Sequence, residues 1–176
     1  MTKKEKERAE KRIEVVKDVL KRLRYLNLST SNYLWIENID DIGGEKVKES
    51  DLANKYLSKL EKKCLVCAKG ALFLSHIRKY NEIKMDKVFQ FDFSPNDCLA
   101  DLKEFDQDNL DLIEAAFQQL EYYEDGLEKR AVYFGKQFDY KDKKDRLKAI
   151  LKNMLENDGV FVPPPIPVED EELTNA

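Results

Sequence analysis

Apolar residues recur at helical spacing along most of the chain. Within residues 2–27, Ile13, Val16, Leu20 and Leu23 lie three or four apart and Asn27 is suited to close the helix. The first twelve residues have almost nothing to bury, so residues 1–12 are expected to be a solvated, projecting helical arm. Opposite charges at helical spacing, Glu7 with Lys11 and Asp18 with Arg22, support this helix by a few tenths of a kcal/mol each. Ser50 or Asp51 can cap a second helix whose inner face is Leu52, Tyr56, Leu57 and Leu60. Residues 64–77 are apolar nearly all round, which predicts the central buried helix, with Gly70 and its neighbouring alanines allowing a second backbone to approach. Leu110, Ile113, Phe117 and Leu120 mark a helix over 108–124, and Leu127, Ala131, Phe134 and Phe138 mark one over 127–138. Leu147, Ile150, Leu151, Met154 and Leu155 mark a last one over 142–157, stopped by Gly159.

Between these stretches the pattern changes. Tyr33, Leu34, Trp35 and Ile36 stand among Ser, Thr and Asn before Gly43 and Gly44, which fits either one buried turn of helix or a short strand. Phe89, Phe91 and Phe93 alternate with Gln90 and Asp92, the period of a half-buried strand, but no partner strand is evident. Ser94, Pro95 and Asp97 form a helix start, with Cys98, Leu99, Leu102 and Phe105 as its buried face. The prolines make residues 160–167 extended, and the acidic end from Glu169 is expected to be disordered. The fold class expected is mainly α: a compact multi-helix bundle with a projecting N-terminal helix and at most a minor β element. A single helical domain over 13–162 would then lie between the arm and a Pro-rich, acidic tail over 163–176.

A length of 176 residues suits one domain, and 42% hydrophobic with 38% charged residues describes a real core under a strongly charged exterior. The net charge of -4 conceals blocks of alternating sign. Residues 1–24 hold ten bases and five acids, 85–125 hold twelve acids and two bases, 126–152 hold nine bases and four acids, and 153–176 hold six acids and no base. Cys64, Cys67 and Cys98 are too few and too odd for a secreted disulfide framework, and no apolar stretch suits a signal core or a membrane span. A cytoplasmic location is expected.

The candidate chemistry is thin. Cys64 and Cys67 form a Cys-x-x-Cys pair, and with His76 and Cys98 they number enough ligands for zinc. On one continuous helix, however, His76 would lie about 18 Å from Cys64 along the axis and about 120° round it. A redox role would need an exposed, acidic thiol, whereas Leu65, Val66 and the following run predict burial. A single His excludes most hydrolase triads, and Gly43-Gly44 lacks the Lys-Ser or Lys-Thr ending of a phosphate loop. No catalytic residue, metal ligand or cofactor is expected. Pro163-Pro164-Pro165-Ile166-Pro167 suits a polyproline ligand or, more often, a rigid spacer.

Three patches carry a resemblance: Cys64-Leu-Val-Cys67-Ala68-Lys-Gly70-Ala71-Leu, Asp111-Leu-Ile-Glu-Ala-Ala-Phe117 and Asn157-Asp-Gly159-Val-Phe161-Val-Pro163. They resemble uncharacterised small proteins of bacteriophages and their bacterial hosts. The resemblance implies a bacterial or viral setting, in which small non-enzymatic proteins often bind and tune another protein, and it brings no residue role with it.

The function expected is therefore a protein-binding module, a regulator or inhibitor of a larger bacterial or phage-related protein. Its candidate surface is the stripe Asp111, Glu114 and Glu121, which helical phase sets opposite the buried face and which would meet a basic partner. The alternative is a nucleic-acid-associated protein whose basic N-terminal helix, through Lys3, Lys4, Arg8, Lys11 and Arg12, neutralises phosphates.

Overall fold

Thr2 starts helix α1 (Lys3–Arg22) with a capping box: its hydroxyl accepts from the Glu5 amide at 3.2 Å, and the Glu5 carboxylate accepts from the Thr2 amide. Val15, Val16 and Val19 are its most buried residues, with Ile13 and Leu20 at the edge of the core. A 3-10 turn, Leu23–Tyr25, ends the helix before Asn27, which belongs instead to strand β1 (Asn27–Leu28). The computed structural model describes residues 1–30, 35–36, 64–80, 102–120 and 126–167, and the fold they form is mainly helical. The helix expected over 52–60, the strand over 88–93, the helix start at Ser94 with Cys98 and Leu99, and the acidic end from Glu169 lie outside the described residues.

The minor β element is a three-stranded sheet in the order β1-β3-β2, with β2 at Trp35–Ile36 and β3 at Cys64–Val66. β1 runs parallel to β3, pairing Asn27 with Leu65 and Leu28 with Val66, while β2 runs antiparallel, pairing Trp35 with Leu65 and Ile36 with Cys64. Residues 35–36 are thus strand. The helix expected from Cys64 is corrected: Cys64–Val66 is the central strand, and helix α2 begins only at Ala68 (Ala68–Tyr80). An apolar run buried on every side looks the same in a central strand and in a core helix, so periodicity alone does not separate them. Cys67 stands at the junction, where its Sγ accepts from the Gly70 amide at 3.4 Å.

Helix α2 is the buried centre, with every residue from Ala68 to His76 inside. It is tied to α1 by polar contacts: the Ser75 hydroxyl donates to the Val15 carbonyl at 3.0 Å, Arg78 pairs with Asp18, and Lys79 pairs with Glu14 at 3.2 Å. Leu102 and Phe105 are buried as expected, but in a turn closed by the Phe105 amide on the Leu102 carbonyl at 2.9 Å. Helix α3 (Gln107–Gln118) stops short of residue 124 because Gln119 turns left-handed, φ 55°, and its side-chain amide donates to the Gly135 and Phe138 carbonyls at 2.8 Å each. Helix α4 (Gly126–Lys136) buries small residues, Ala131, Val132 and Gly135, while Leu127 is exposed. Gly135 is needed there, since a Cβ would lie 1.9 Å from the Ala116 carbonyl oxygen. Helix α5 (Lys143–Glu156) buries Leu147, Ile150, Leu151 and Met154 as its pattern predicts.

Residues 160–167 are extended and strapped to the body. Asn109 and Asn153 act as two edge-strand mimics: each donates its side-chain amide to a strap carbonyl, of Phe161 at 2.8 Å and Val162 at 2.9 Å, and accepts that residue's N–H. Prolines have no N–H, so the strap beyond needs donors only, and Arg130 supplies them to the Pro163 and Pro164 carbonyls. Phe161, Pro163 and Ile166 are buried. Pro163 and Ile166 thus anchor the proline run to the body, while Pro164, Pro165 and Pro167 are exposed. No helix among the described residues is long and apolar enough to cross a membrane.

Candidate binding surface

Of the acidic stripe expected on α3, Asp111 is half-exposed whereas Glu114 is buried, so the two do not form one outward face. Asp111 accepts from the Lys69 ammonium at 2.5 Å and from the Gln107 amide at 3.1 Å. Glu114 is only 5% exposed and accepts from the Lys69 backbone amide at 3.2 Å and from the Gln118 side chain. Glu121 lies outside the described residues. The physical reason for the correction is that the first turn of α2 leaves buried amides without helical partners, and a carboxylate from α3 meets one of them. Burial pushes the Glu114 carboxyl up, although its hydrogen bonds to Gln118 and Lys69 work the other way. Burial also drives the Cys67 thiol far above its ordinary range, with the charge of Glu114 adding to the effect. Among the described residues no cluster of His, Cys, Asp and Glu is placed to hold a metal ion.

The basic arm divides in two. Lys3 and Lys4 are solvated, Lys3 only 4.0 Å from Glu7, and the Lys11 ammonium sits 5.0 Å from the centre of the Tyr80 ring. Arg8 and Arg12 turn inward. Arg8 donates to the Asp106 carboxylate at 3.1 Å and the Glu104 carbonyl at 3.5 Å, and Arg12 donates to the Glu104 carbonyl at 2.9 Å and the Asp158 carbonyl at 3.1 Å. Ala9 is buried between them, so the solvated arm ends at Glu7 rather than at residue 12. The sequence shows ten similar bases here, and nothing local distinguishes the two that find carbonyls in a distant turn.

Two further charged groups escape sequence reasoning. The Glu104 carboxylate, 4% exposed, pairs with His76 Nδ1 at 2.5 Å. Burial works to raise its pKa, but the hydrogen bond and charge of His76 outweigh that and hold it low. Arg146 is fully buried: it donates to the Phe117 carbonyl at 2.6 Å and to the Asp139 and Tyr140 carbonyls at 2.9 and 3.2 Å. Phe117 lies in the last turn of α3, where carbonyls lack helical donors and favour a cation. Both groups are engaged within the fold.

What stands outward is at the other end of α1. Tyr25 and Tyr140 are 56% and 53% exposed, and the Arg24 guanidinium lies 4.5 Å from the Tyr25 ring centre. The segments bearing them are joined: the Lys144 ammonium donates to the Arg24 carbonyl at 2.9 Å, Lys143 to the Leu28 carbonyl at 3.5 Å, and the Tyr140 hydroxyl bonds Thr30 at 2.8 Å. Between them Leu28 and residues 141–145 line an open pocket of about 300 Å³. Tyrosine and arginine are among the side chains that protein interfaces favour. Comparison with protein-family models, with curated proteins and with solved structures finds no match.

Proposed function

We propose that the chain is a non-enzymatic protein-binding module, a regulator or inhibitor of a larger partner protein, and that it binds through the Tyr25 and Tyr140 surface. The observation that carries this reading is the pair of exposed tyrosines fixed on a braced junction, where residues 24–30 and 140–144 hydrogen-bond to each other. Such side chains bring large contact area at little cost in conformational entropy, because their supports are already ordered. The nucleic-acid reading keeps Lys3, Lys4 and Lys11, which are exposed, but not Arg8 and Arg12, which are engaged with Glu104, Asp106 and Asp158. The test is parallel affinity capture from bacterial lysate with the wild-type chain and with Tyr25→Ala/Tyr140→Ala, both shown to have the same circular dichroism. A protein retained by the wild type and lost by the variant supports the reading; equal retention by both overturns it.

A further inference from the structure

The surface around Tyr25 continues along a seam between α1 and α5. The two helices run antiparallel, with Lys144 on the Arg24 carbonyl at one end and Arg12 on the Asp158 carbonyl at the other. Exposed cations occupy both sides: Lys17, Lys21 and Arg24 on α1 and its last turn, and Lys144, Lys148 and Lys152 on α5. The α5 row steps by four residues, about 6 Å each, and the α1 row by three from Arg24 to Lys21 and four from Lys21 to Lys17, so rows that start in step at Lys144 and Arg24 stay within about one residue of it. Lys148 stands about level with Lys21, and Lys152 with Lys17. Half-buried Leu20 and Leu155 pack against the core on these two helices, and half-buried Ile13, seven residues before Leu20, shares its face of α1.

These rows are poorly neutralised from within. Lys17 is 3.8 Å from Glu14, but Lys21, Lys148 and Lys152 have no carboxylate within ion-pairing distance among the described residues. Like charges four apart weaken a helix by a few tenths of a kcal/mol per pair, a cost that an acidic partner would remove. The chain as a whole has a net charge of -4, so the rows are a local concentration and not a general basicity.

We infer that this seam is a docking groove for an acidic amphipathic helix of the partner protein, an inference that rests on the protein-binding reading above. Carboxylates four apart on such a helix repeat every 6 Å or so, the step of the α5 row and close to that of the α1 row. Its apolar stripe would cover Ile13, Leu20 and Leu155, in the manner of helix-in-groove recognition. A phosphate backbone fits less well, because the exposed carboxylates of Glu14, Asp145 and Glu156 interrupt the rim. Discrete carboxylates can be placed between them, whereas a continuous line of phosphates meets repulsion.

The test is fluorescence anisotropy with the full chain and a labelled synthetic helical peptide carrying Leu at helical spacing with Glu along both flanks. Saturable binding is expected, weakened at least about tenfold by Lys21→Glu/Lys148→Glu/Lys152→Glu and weakened by salt. The corresponding Lys→Ala variant, which introduces no new charge, should lie between the two. Equal affinity of wild type and charge-reversed chain would overturn the groove, as would tighter binding of a single-stranded or duplex oligonucleotide than of the peptide. So would an about tenfold gain on neutralising Glu169, Asp170, Glu171 and Glu172, which would make the chain's own acidic end the occupant. Loss of peptide binding alongside tyrosine-dependent capture would remove the groove and leave the protein-binding module standing; the reverse pattern would remove the tyrosine surface alone.

Discussion

Glu114 and Lys148 both sit in the middle of charged helical stretches, yet one is sealed inside the protein and the other stands in solvent. The difference lies in what surrounds them. Glu114 faces the start of α2, where the Lys69 amide has no helical acceptor, and Arg146 faces the end of α3, where the Phe117 carbonyl has no helical donor. Arg8 and Arg12 likewise go to the turn carbonyl of Glu104. In each case an inward charge meets backbone groups that a helix end or turn leaves open. Along the α1–α5 seam Lys148 and Lys152 stand in mid-run, where backbone groups are bonded within the helix, and they stay outside; Lys21, in the last turn of α1, is exposed as well. Glu114, Arg146, Arg8 and Arg12 are thus charges held where helix ends or turns leave backbone groups open, whereas Glu104 is held by the His76 side chain.

The contrast can be broken most severely at Arg146. Arg146→Ala should cost about 3–5 kcal/mol, because it leaves a cavity and takes the donor from the Phe117, Asp139 and Tyr140 carbonyls. For a chain of this size that corresponds to a fall in melting temperature on the order of 10 °C. Arg146→Met fills most of the space and should recover part of the loss. A melting temperature unchanged in Arg146→Ala would show that these carbonyls find other donors.

Next come the two buried carboxylates, whose effects on pH dependence have opposite sign. Glu104 is held below its ordinary value of 4.5, so it contributes stability that is present above that pH and lost as pH falls through its folded value. Glu104→Gln should cost about 1.5–3 kcal/mol near neutral pH and flatten the acid limb of a plot of urea midpoint against pH. Glu114 is raised above 4.5, so its contribution is complete below that pH and is lost as pH rises through its folded value. Glu114→Gln should therefore match the wild type near pH 4 and exceed it near pH 8, by about 1 kcal/mol, the net worth of one hydrogen bond. Parallel pH profiles for both variants and the wild type would remove both assignments.

These examples also show what could be read in the sequence. The helical class, the face of α5 and the stop at Gly159 follow from apolar spacing, because burial along a mid-run helix obeys its period. The strand at Cys64–Val66 does not, since an evenly apolar run has no period to read. Nor does the early end of α3, which depends on Gln119 reaching the Gly135 and Phe138 carbonyls on another element. The candidate site suffered most: Asp111 and Glu114 occupy a polar phase of α3, but the neighbour that covers Glu114 is α2, forty-five positions away. Tyr25 and Tyr140 carry no local signal of exposure, because each becomes visible only when residues 24–30 meet 140–144.

The smallest expected effect is on stability at the lysine rows, and its smallness is what the contrast requires. Lys148→Glu and Lys152→Glu remove no backbone hydrogen bond and create no cavity, so each should change stability by no more than about 0.5 kcal/mol. The sign should be favourable for Lys148→Glu, which places a carboxylate level with Lys21, and for Lys152→Glu, which places one level with Lys17. Both gains come from relieving like-charge pairs in solvent, so they should fade as salt rises and the Debye length shrinks to a few Å, about 3 Å at 1 M. Melting curves at low and high salt supply the measurement. A large destabilisation that persists in high salt would mean that Lys148 or Lys152 is bonded into the fold as Arg146 is, and the division between inward and outward charge would fail at the seam.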